Sequence, residues 1–415
     1  MNYDYDVAIV GAGPIGSTLA YELANDFSVC ILEKKSQIGI PLQCAGIVSK
    51  KIKDLNEIPN DLILNKVKGA LLNSPNVQLT VYKEFSEAYV IDRVKYDQYL
   101  VKRAVDNGSK LFTKHKVLDV DFKNGIIYCN NKSIKAKIIV GADGHHSTIS
   151  KKFNNPFKYF NASQVLVRIN NNFSNTNNIV NTNTNNITNT NIRNIGNMED
   201  FVELQLDSKI LPGFLWCIPT ENNEYRVGLF SNNDFKTQKL FLESFLSNHP
   251  KFKDCKIIER YLGDIPIYEE DKLLVKGRCL LIGDAASQLK PTTGGGLILG
   301  FETIKMAKKI IKNTLLKNDL SILNSYPIEF KKKYSTELKY QLKVHKTIDG
   351  LSNDDLDHIF EKLKNNNAEF LISKYGDMDK QSILVKEILK KGLLLKVIPK
   401  SLLFKMLKLW LFNII

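Results

Sequence analysis

Three glycines, Gly11, Gly13 and Gly16, fall within "GAGPIG", and a carboxylate, Glu33, follows the next apolar run. That spacing suits phosphate chemistry. Gly11 permits a tight turn, Gly13 lets the backbone approach a pyrophosphate, and Gly16 permits close helix packing. The N–H groups at the start of the helix then face the anion. Glu33 lies about 20 residues beyond the glycines, where an acidic side chain accepts hydrogen bonds from a ribose. An acid there disfavours a 2′-phosphate, so the expected nucleotide is FAD or NAD rather than NADP.

A second set lies far along the chain. "GDAA", Gly283–Ala286, precedes Pro291 and the run Gly294, Gly295, Gly296. Asp284 is placed to bind a ribityl hydroxyl, and the glycines leave N–H groups free at another helix start. Two widely separated nucleotide motifs suit the long FAD molecule better than NAD. "GADG", Gly141–Gly144, adds a third anchor. A lone thiol, Cys44, sits in "GIPLQCAGIV". Without a partner at CxxC spacing it implies neither a zinc knuckle nor a redox pair, and no metal is expected.

The elements that must position these residues are legible. "YDVAIV" and "FSVCILEKK" read as buried strands flanking a helix with Leu19, Ala20 and Leu23 on one face, a βαβ unit. Alternation over residues 71–92 suggests antiparallel strands. "DRVKYDQYLVKRAVDNG" reads as a helix capped by Asp92 and ended near Gly108. "IIYCNNKSIKAKIIVGADG" reads as a hairpin returning to a buried strand. Residues 170–197 are Asn, Thr and Ile almost throughout, a low-complexity insertion expected to be a surface loop. The chain after about Ser321 reads as helical.

Together these motifs resemble the FAD-dependent reductases and hydroxylases of the p-hydroxybenzoate-hydroxylase fold, over most of the chain to about residue 310. The resemblance implies an α/β fold. It expects a discontinuous FAD-binding Rossmann-like domain (1–70, 93–160, 260–310), an antiparallel-sheet substrate domain (71–92, 161–259) and a helical C-terminal region (311–415). "DRVKYDQYL" is similar to that family's Arg-x-x-Phe-Asp-x-x-Leu helix, with Tyr96 replacing Phe, so Arg93 would reach the FAD. Further cofactor contacts implied are Ile15, Cys44, Ala45, Ile47, Val117, Gly296 and Leu297.

Within that group, "PLQCAG" looks like the Pro-x-x-Cys-Ala loop of the geranylgeranyl reductases, which runs beside the flavin. "GFLWCIP" resembles their Tyr/Phe-x-Trp-x-Phe-Pro signature through Phe214, Trp216 and Pro219, with Ile218 where an aromatic is usual. The archaeal digeranylgeranylglycerophospholipid reductases are similar in layout, apart from the Asn-rich insertion. The resemblance implies hydrogenation of geranylgeranyl C=C bonds in glycerophospholipid precursors. Phe214, Trp216 and Pro219 would then line the substrate site, with an electron donor of ferredoxin, reduced-deazaflavin or NAD(P)H type. Cys44 would be a proton donor, a redox-sensitive residue or a small filler. The alternative is an aromatic monooxygenase or halogenase, but "GFLWCIP" lacks the first Trp of the halogenase GWxWxIP motif. An electron-transfer-flavoprotein oxidoreductase needs a C-terminal cysteine cluster, and no cysteine follows Cys279.

The formal charge is +14, from an anionic partner or from compositional drift towards Lys. No nucleic-acid-reading motif accompanies it. The tail "KEILKKGLLLKVIPKSLLFKMLKLWLFNII" places Lys400, Lys405 and Lys408 in one sector of a helix beginning at Pro399, with Trp410 among the apolar residues. It reads as an interfacial helix on an anionic membrane, or as a helix packed on the protein or a second subunit. Scattered cysteines, an immediate first strand and no apolar run of about 20 residues lead to the expectation of a cytoplasmic, peripherally membrane-associated protein.

Overall fold

The computed structural model describes residues 2–155, 157–169, 197–399 and 402. The Asn-rich segment through residue 196 and the proposed interfacial helix lie outside these, apart from Pro399 and Leu402.

Buried β-branched runs build a parallel sheet. Its strands are ordered Cys279–Leu281, Ser133–Gly141, Tyr5–Val10, Val29–Leu32 and Lys110–Phe112. An antiparallel edge strand, Val275–Lys276, and the hairpin Val117–Asp121/Ile126–Cys129 complete it. Val7, Ile9, Cys30, Ile31, Ile138 and Ile139 are fully buried, as expected for a sheet covered on both faces. The helix Pro14–Ala24 packs beside Arg93–Asp106 and Leu297–Lys317. Asp92 caps the second of these by accepting from the Lys95 N–H, and Gly108, at φ +105°, lies just past its end.

A seven-stranded sheet carries the second layer: Lys256–Pro266, Tyr159–Arg168, Glu224–Ser231, Leu215–Pro219, Phe201–Gln205, Gly69–Asn73 and Gln78–Tyr82. All neighbours are antiparallel except Phe201–Gln205 with Gly69–Asn73. Residues 88–91, expected with residues 71–87, instead join a three-stranded sheet with Ile47–Ser49 and Ile63–Val67. This sheet anchors the Cys44 loop.

Side-chain alternation divides the large sheet's two faces. Leu215 and Cys217 point to the helix Phe235–Asn248 and its cluster with Leu242 and Leu246. Trp216 and Ile218 point the other way, into a cluster with Phe160, Phe230, Ala45 and Ile47.

Helices run on from Ser325–Ile348 to Leu393–Val397. The segment between Ala368–Tyr375 and Gln381–Lys390 clamps two loops of the nucleotide side. Lys290 Nζ meets Asp379 at 2.9 Å and donates to the Met378 carbonyl, while Lys51 meets Asp377 at 2.9 Å and Asp379 at 3.6 Å. Two lysines and two aspartates thus brace three distant segments.

Candidate active site

The two nucleotide motifs meet. A methyl group at Gly300 would stand 2.3 Å from Ile15 Cδ1, and one at Gly283 would stand 3.3 Å from Ile15 Cγ1, so the first motif is seated on the second. Between them runs a cavity of about 750 Å³. Its wall passes from Glu33 and Val117, past Gly11, Gly13 and Ile15, to Asp284, Gly296 and Leu297.

Each glycine has a distinct reason to be there. Gly11 has φ +105°, and a Cβ would stand 2.3 Å from the Ala142 carbonyl oxygen. Gly13 has open space above it, room for an anion at the helix start. Gly16 is off the wall: a Cβ there would stand 2.1 Å from the Gly11 carbonyl oxygen, so it serves helix packing. Glu33 accepts from the N–H groups of Ala12 and Lys35, both at 2.9 Å, which fixes its carboxylate at the cavity edge. Asp284 faces the cavity, and burial pushes its carboxyl up against the pull of Arg93. In "GADG", Asp143 borders the cavity, and its carboxylate accepts from the Ser147 hydroxyl and from the Thr148 and Ile149 N–H groups at the start of a short helix.

This cradle fits FAD, whose extended form needs a pyrophosphate turn, a ribose acceptor and a second glycine-rich helix start. Gly11, Gly13, Glu33, Asp284 and Gly296 would hold it. Bound and reduced, FAD supplies a hydride.

The Cys44 loop closes one wall. Arg93 Nη1 donates to Cys44 Sγ at 3.1 Å, and the Gly46 N–H donates to the same sulfur at 3.3 Å. The sulfur is therefore an acceptor that holds its own loop. The rest of the Arg93 guanidinium is paired with Asp97, at 3.0 and 3.2 Å. Arg93 borders the cavity from this clamp rather than with a free guanidinium. Ala45 is off the wall, and its carbonyl accepts from Arg226 at 3.0 Å.

The expected substrate residues separate. Phe214 and Trp216 lie on the sheet face toward the Cys44 loop, in the apolar cluster and not on the wall of the nucleotide cavity. Trp216 Nε1 donates to Gln164 at 3.0 Å, and Gln164 donates to the Cys44 carbonyl at 3.4 Å. Gly228 makes space for the indole, since a Cβ there would stand 2.6 Å from Trp216 Cζ2. Pro219, at odd register, points away from Trp216, and its carbonyl accepts from Asn65. Ile47 and Ile265 belong both to the aromatic cluster and to the cavity wall, so the two spaces adjoin.

Several site residues escaped the sequence reading. Arg226 is a buried cation beneath the Cys44 loop, its guanidinium pulled down by burial. An arginine inside the apolar strand "YRVGLF" was the available signal. His145 and His146 follow GADG directly. His146 pairs with Asp264 at 2.8 Å, and burial, reinforced by His146, holds His145 down at about 4. The donor atoms of the three lie within 4.8 Å of one another, a spacing that the His146–Asp264 pair already satisfies. Lys34, Lys35, Lys116 and Lys151 add positive charge along the cavity.

The FAD binding domain family matches residues 4–332. This chain belongs to that family. The flavoprotein is 33% identical over 398 residues to an uncharacterized protein of Methanocaldococcus jannaschii, covering 93% of this chain and 95% of that one. It is 28% identical over 416 residues to the digeranylgeranylglycerophospholipid reductase of the same organism, covering 95% and 98%. A geranylgeranyl bacteriochlorophyll reductase-like structure from Thermoplasma acidophilum superposes with TM-score 0.75 at 23% identity, covering 94% of this chain and 99% of that one. The flavoprotein therefore shares the fold of that structure, and it is an FAD-dependent oxidoreductase similar in sequence to the digeranylgeranylglycerophospholipid reductase.

Proposed function

We propose that this flavoprotein reduces C=C bonds in geranylgeranyl chains of archaeal glycerophospholipid precursors, giving saturated phytanyl lipids. One observation carries the reading most: the face bearing Phe160, Phe214, Trp216 and Phe230 joins the cofactor cavity through Ile47 and Ile265. An isoprenoid alkene is electron-rich and unactivated, so it needs close positioning in a dry site beside the reductant. Aromatic faces bind such a chain and tolerate positive charge developing on a tertiary carbon. The named reductase relative, matched over nearly its full length, supports the same reading. The electron donor would be a ferredoxin, a reduced deazaflavin or NAD(P)H.

The test uses dithionite-reduced protein with geranylgeranylated glycerol phosphate. The expected result is product masses rising by successive hydrogen pairs. An unchanged lipid mass with fully reduced, FAD-loaded protein would sink the reading.

A lipid substrate implies work at a membrane surface, and we place this protein at the cytoplasmic face by peripheral attachment. Among the described residues no helix is long and apolar enough to cross a membrane, while the net charge of +14 favours anionic headgroups. Truncation after Pro399 is expected to reduce co-sedimentation with anionic vesicles while FAD stays bound. Undiminished co-sedimentation would remove the tail from that role.

A further inference from the structure

His345 lies near the end of the helix Ser325–Ile348 and is 5% exposed. Neither of its ring nitrogens meets a hydrogen-bond partner among the described residues. A buried polar group without a partner is destabilising, and such groups in folded proteins call for an explanation.

Its surroundings supply one. The imidazole packs on Phe160 at 5.2 Å between ring centroids. Phe160 packs on Phe230 at 5.5 Å, Phe230 on Phe214 at 5.0 Å, and Phe214 on Trp216 at 6.2 Å. His345 thus ends an unbroken row of rings along the face assigned above to the prenyl chain. One turn earlier on the same helix, Gln341 accepts from Thr292, in the loop leading to Gly294–Gly296 on the cavity wall. The imidazole therefore stands at the end of the aromatic face, one helical turn from a residue that touches the cofactor loop.

We propose that His345 delivers the proton to the alkene carbon. The proposal rests on the reductase reading. Saturating one double bond requires a hydride, from the reduced cofactor, and a proton. The hydride brings the electron pair for the first new C–H bond. The alkene π pair forms the second C–H bond with the imidazolium proton. The N–H bonding pair remains on nitrogen, and neutral imidazole is recharged from water.

Burial holds the imidazole down at about 4, with Asp349 pulling it up and Lys346 pushing it down. Phe160, packed against it from the sheet, brings no charge. The ring is neutral at rest and, once protonated, gives up its proton more readily than an ordinary imidazolium. Two opposite pH slopes follow. The unfolded imidazole takes up its proton near 6.5 and the folded one only near 4, so His345 lowers stability as pH falls through that window. The alkene step, which needs imidazolium, speeds up as pH falls.

The test compares FAD-loaded, dithionite-reduced wild type with His345→Leu and His345→Gln, using geranylgeranylated glycerol phosphate in single turnover. Both variants should keep FAD and lose about 10²-fold or more in rate, along with the acid-side rise. His345→Leu should also melt higher than wild type and lose the stability slope between pH 4 and 6.5. Rates within about threefold of wild type in both variants overturn the proposal while leaving the reductase reading intact. A His345→Leu protein that fails to fold overturns it too, since the ring would then be a structural necessity. A wild type inert on the lipid removes the reading and this proposal together.

Discussion

Gly11→Ala is expected to yield a protein without flavin colour. Gly11 sits at φ +105°, a region a side chain rarely enters, and a Cβ there would stand 2.3 Å from the Ala142 oxygen, 2.7 Å from its carbonyl carbon and 2.9 Å from Asp143 Cα. All three are backbone atoms at the end of the strand Ser133–Gly141, which pairs with Tyr5–Val10 up to Val10↔Gly141. No rotamer change relieves the contact. Either the two strand ends part or the turn loses its shape, and both outcomes misplace the helix start at Gly13. Forcing a non-glycine residue into such a conformation costs about 1–3 kcal/mol before any clash. With the clash, affinity should drop by roughly two decades or more, since about 1.4 kcal/mol is a decade. Absorbance of the gel-filtered protein and titration with free FAD are the readouts. Wild-type affinity in Gly11→Ala would mean that the cradle is not where FAD binds.

Arg93→Leu should be among the most destabilising single changes in the molecule. Arg93 and Asp97 are 14% and 12% exposed at their side chains and share a forked contact one helical turn apart. Burial pushes the Asp97 carboxyl up, and Arg93 is the chief group pulling it back. Removing Arg93 leaves an acid in a dry site, at a cost of about 3–5 kcal/mol. It also removes one of the two donors on Cys44 Sγ, so the loop beside the cavity loosens and FAD binding weakens. Arg93→Leu/Asp97→Leu should recover most of the stability, because no charge is left buried, but not the hold on the Cys44 loop. Urea unfolding of the three proteins separates these effects. A double variant no more stable than Arg93→Leu would show that the pair contributes by packing alone.

The sequence shows most plainly what local backbone chemistry requires. Gly11, Gly13 and Glu33 announce a nucleotide cradle because the turn, the approach and the acceptor all lie within one βαβ unit. Asp92 and Gly108 mark the ends of a helix for the same local reason. Long-range pairing is harder to read. Residues 88–91 alternate like the strands before them, yet they cross to Ile47–Ser49 and Ile63–Val67, a choice made by tertiary packing. Trp216 and Pro219 both sit in a motif, but only register shows that they face opposite sides of the sheet. Arg226 and His345 become informative only through their neighbours: a loop carbonyl 181 residues away in one case, an aromatic row in the other. A lone histidine on a helix gives no such sign in the sequence.

The split parallel sheet has a consequence for the chain as it is made. Tyr5–Val10, Val29–Leu32, Lys110–Phe112 and Ser133–Gly141 leave the ribosome well before Cys279–Leu281, which must dock against Ile139–Gly141. Gly294–Gly296 and the Lys290–Asp379 brace follow later still. At about 5–20 residues per second, the delay is on the order of tens of seconds. Throughout it, the nascent sheet shows an apolar strand edge with open backbone groups, a template for wrong pairing. The nucleotide cradle is half built in the same interval, with its Glu33 end formed and its Asp284 end missing. Flavin retention is therefore a late event in biosynthesis, and shielding of the "IIVG" edge until then is a requirement the fold imposes on the cell.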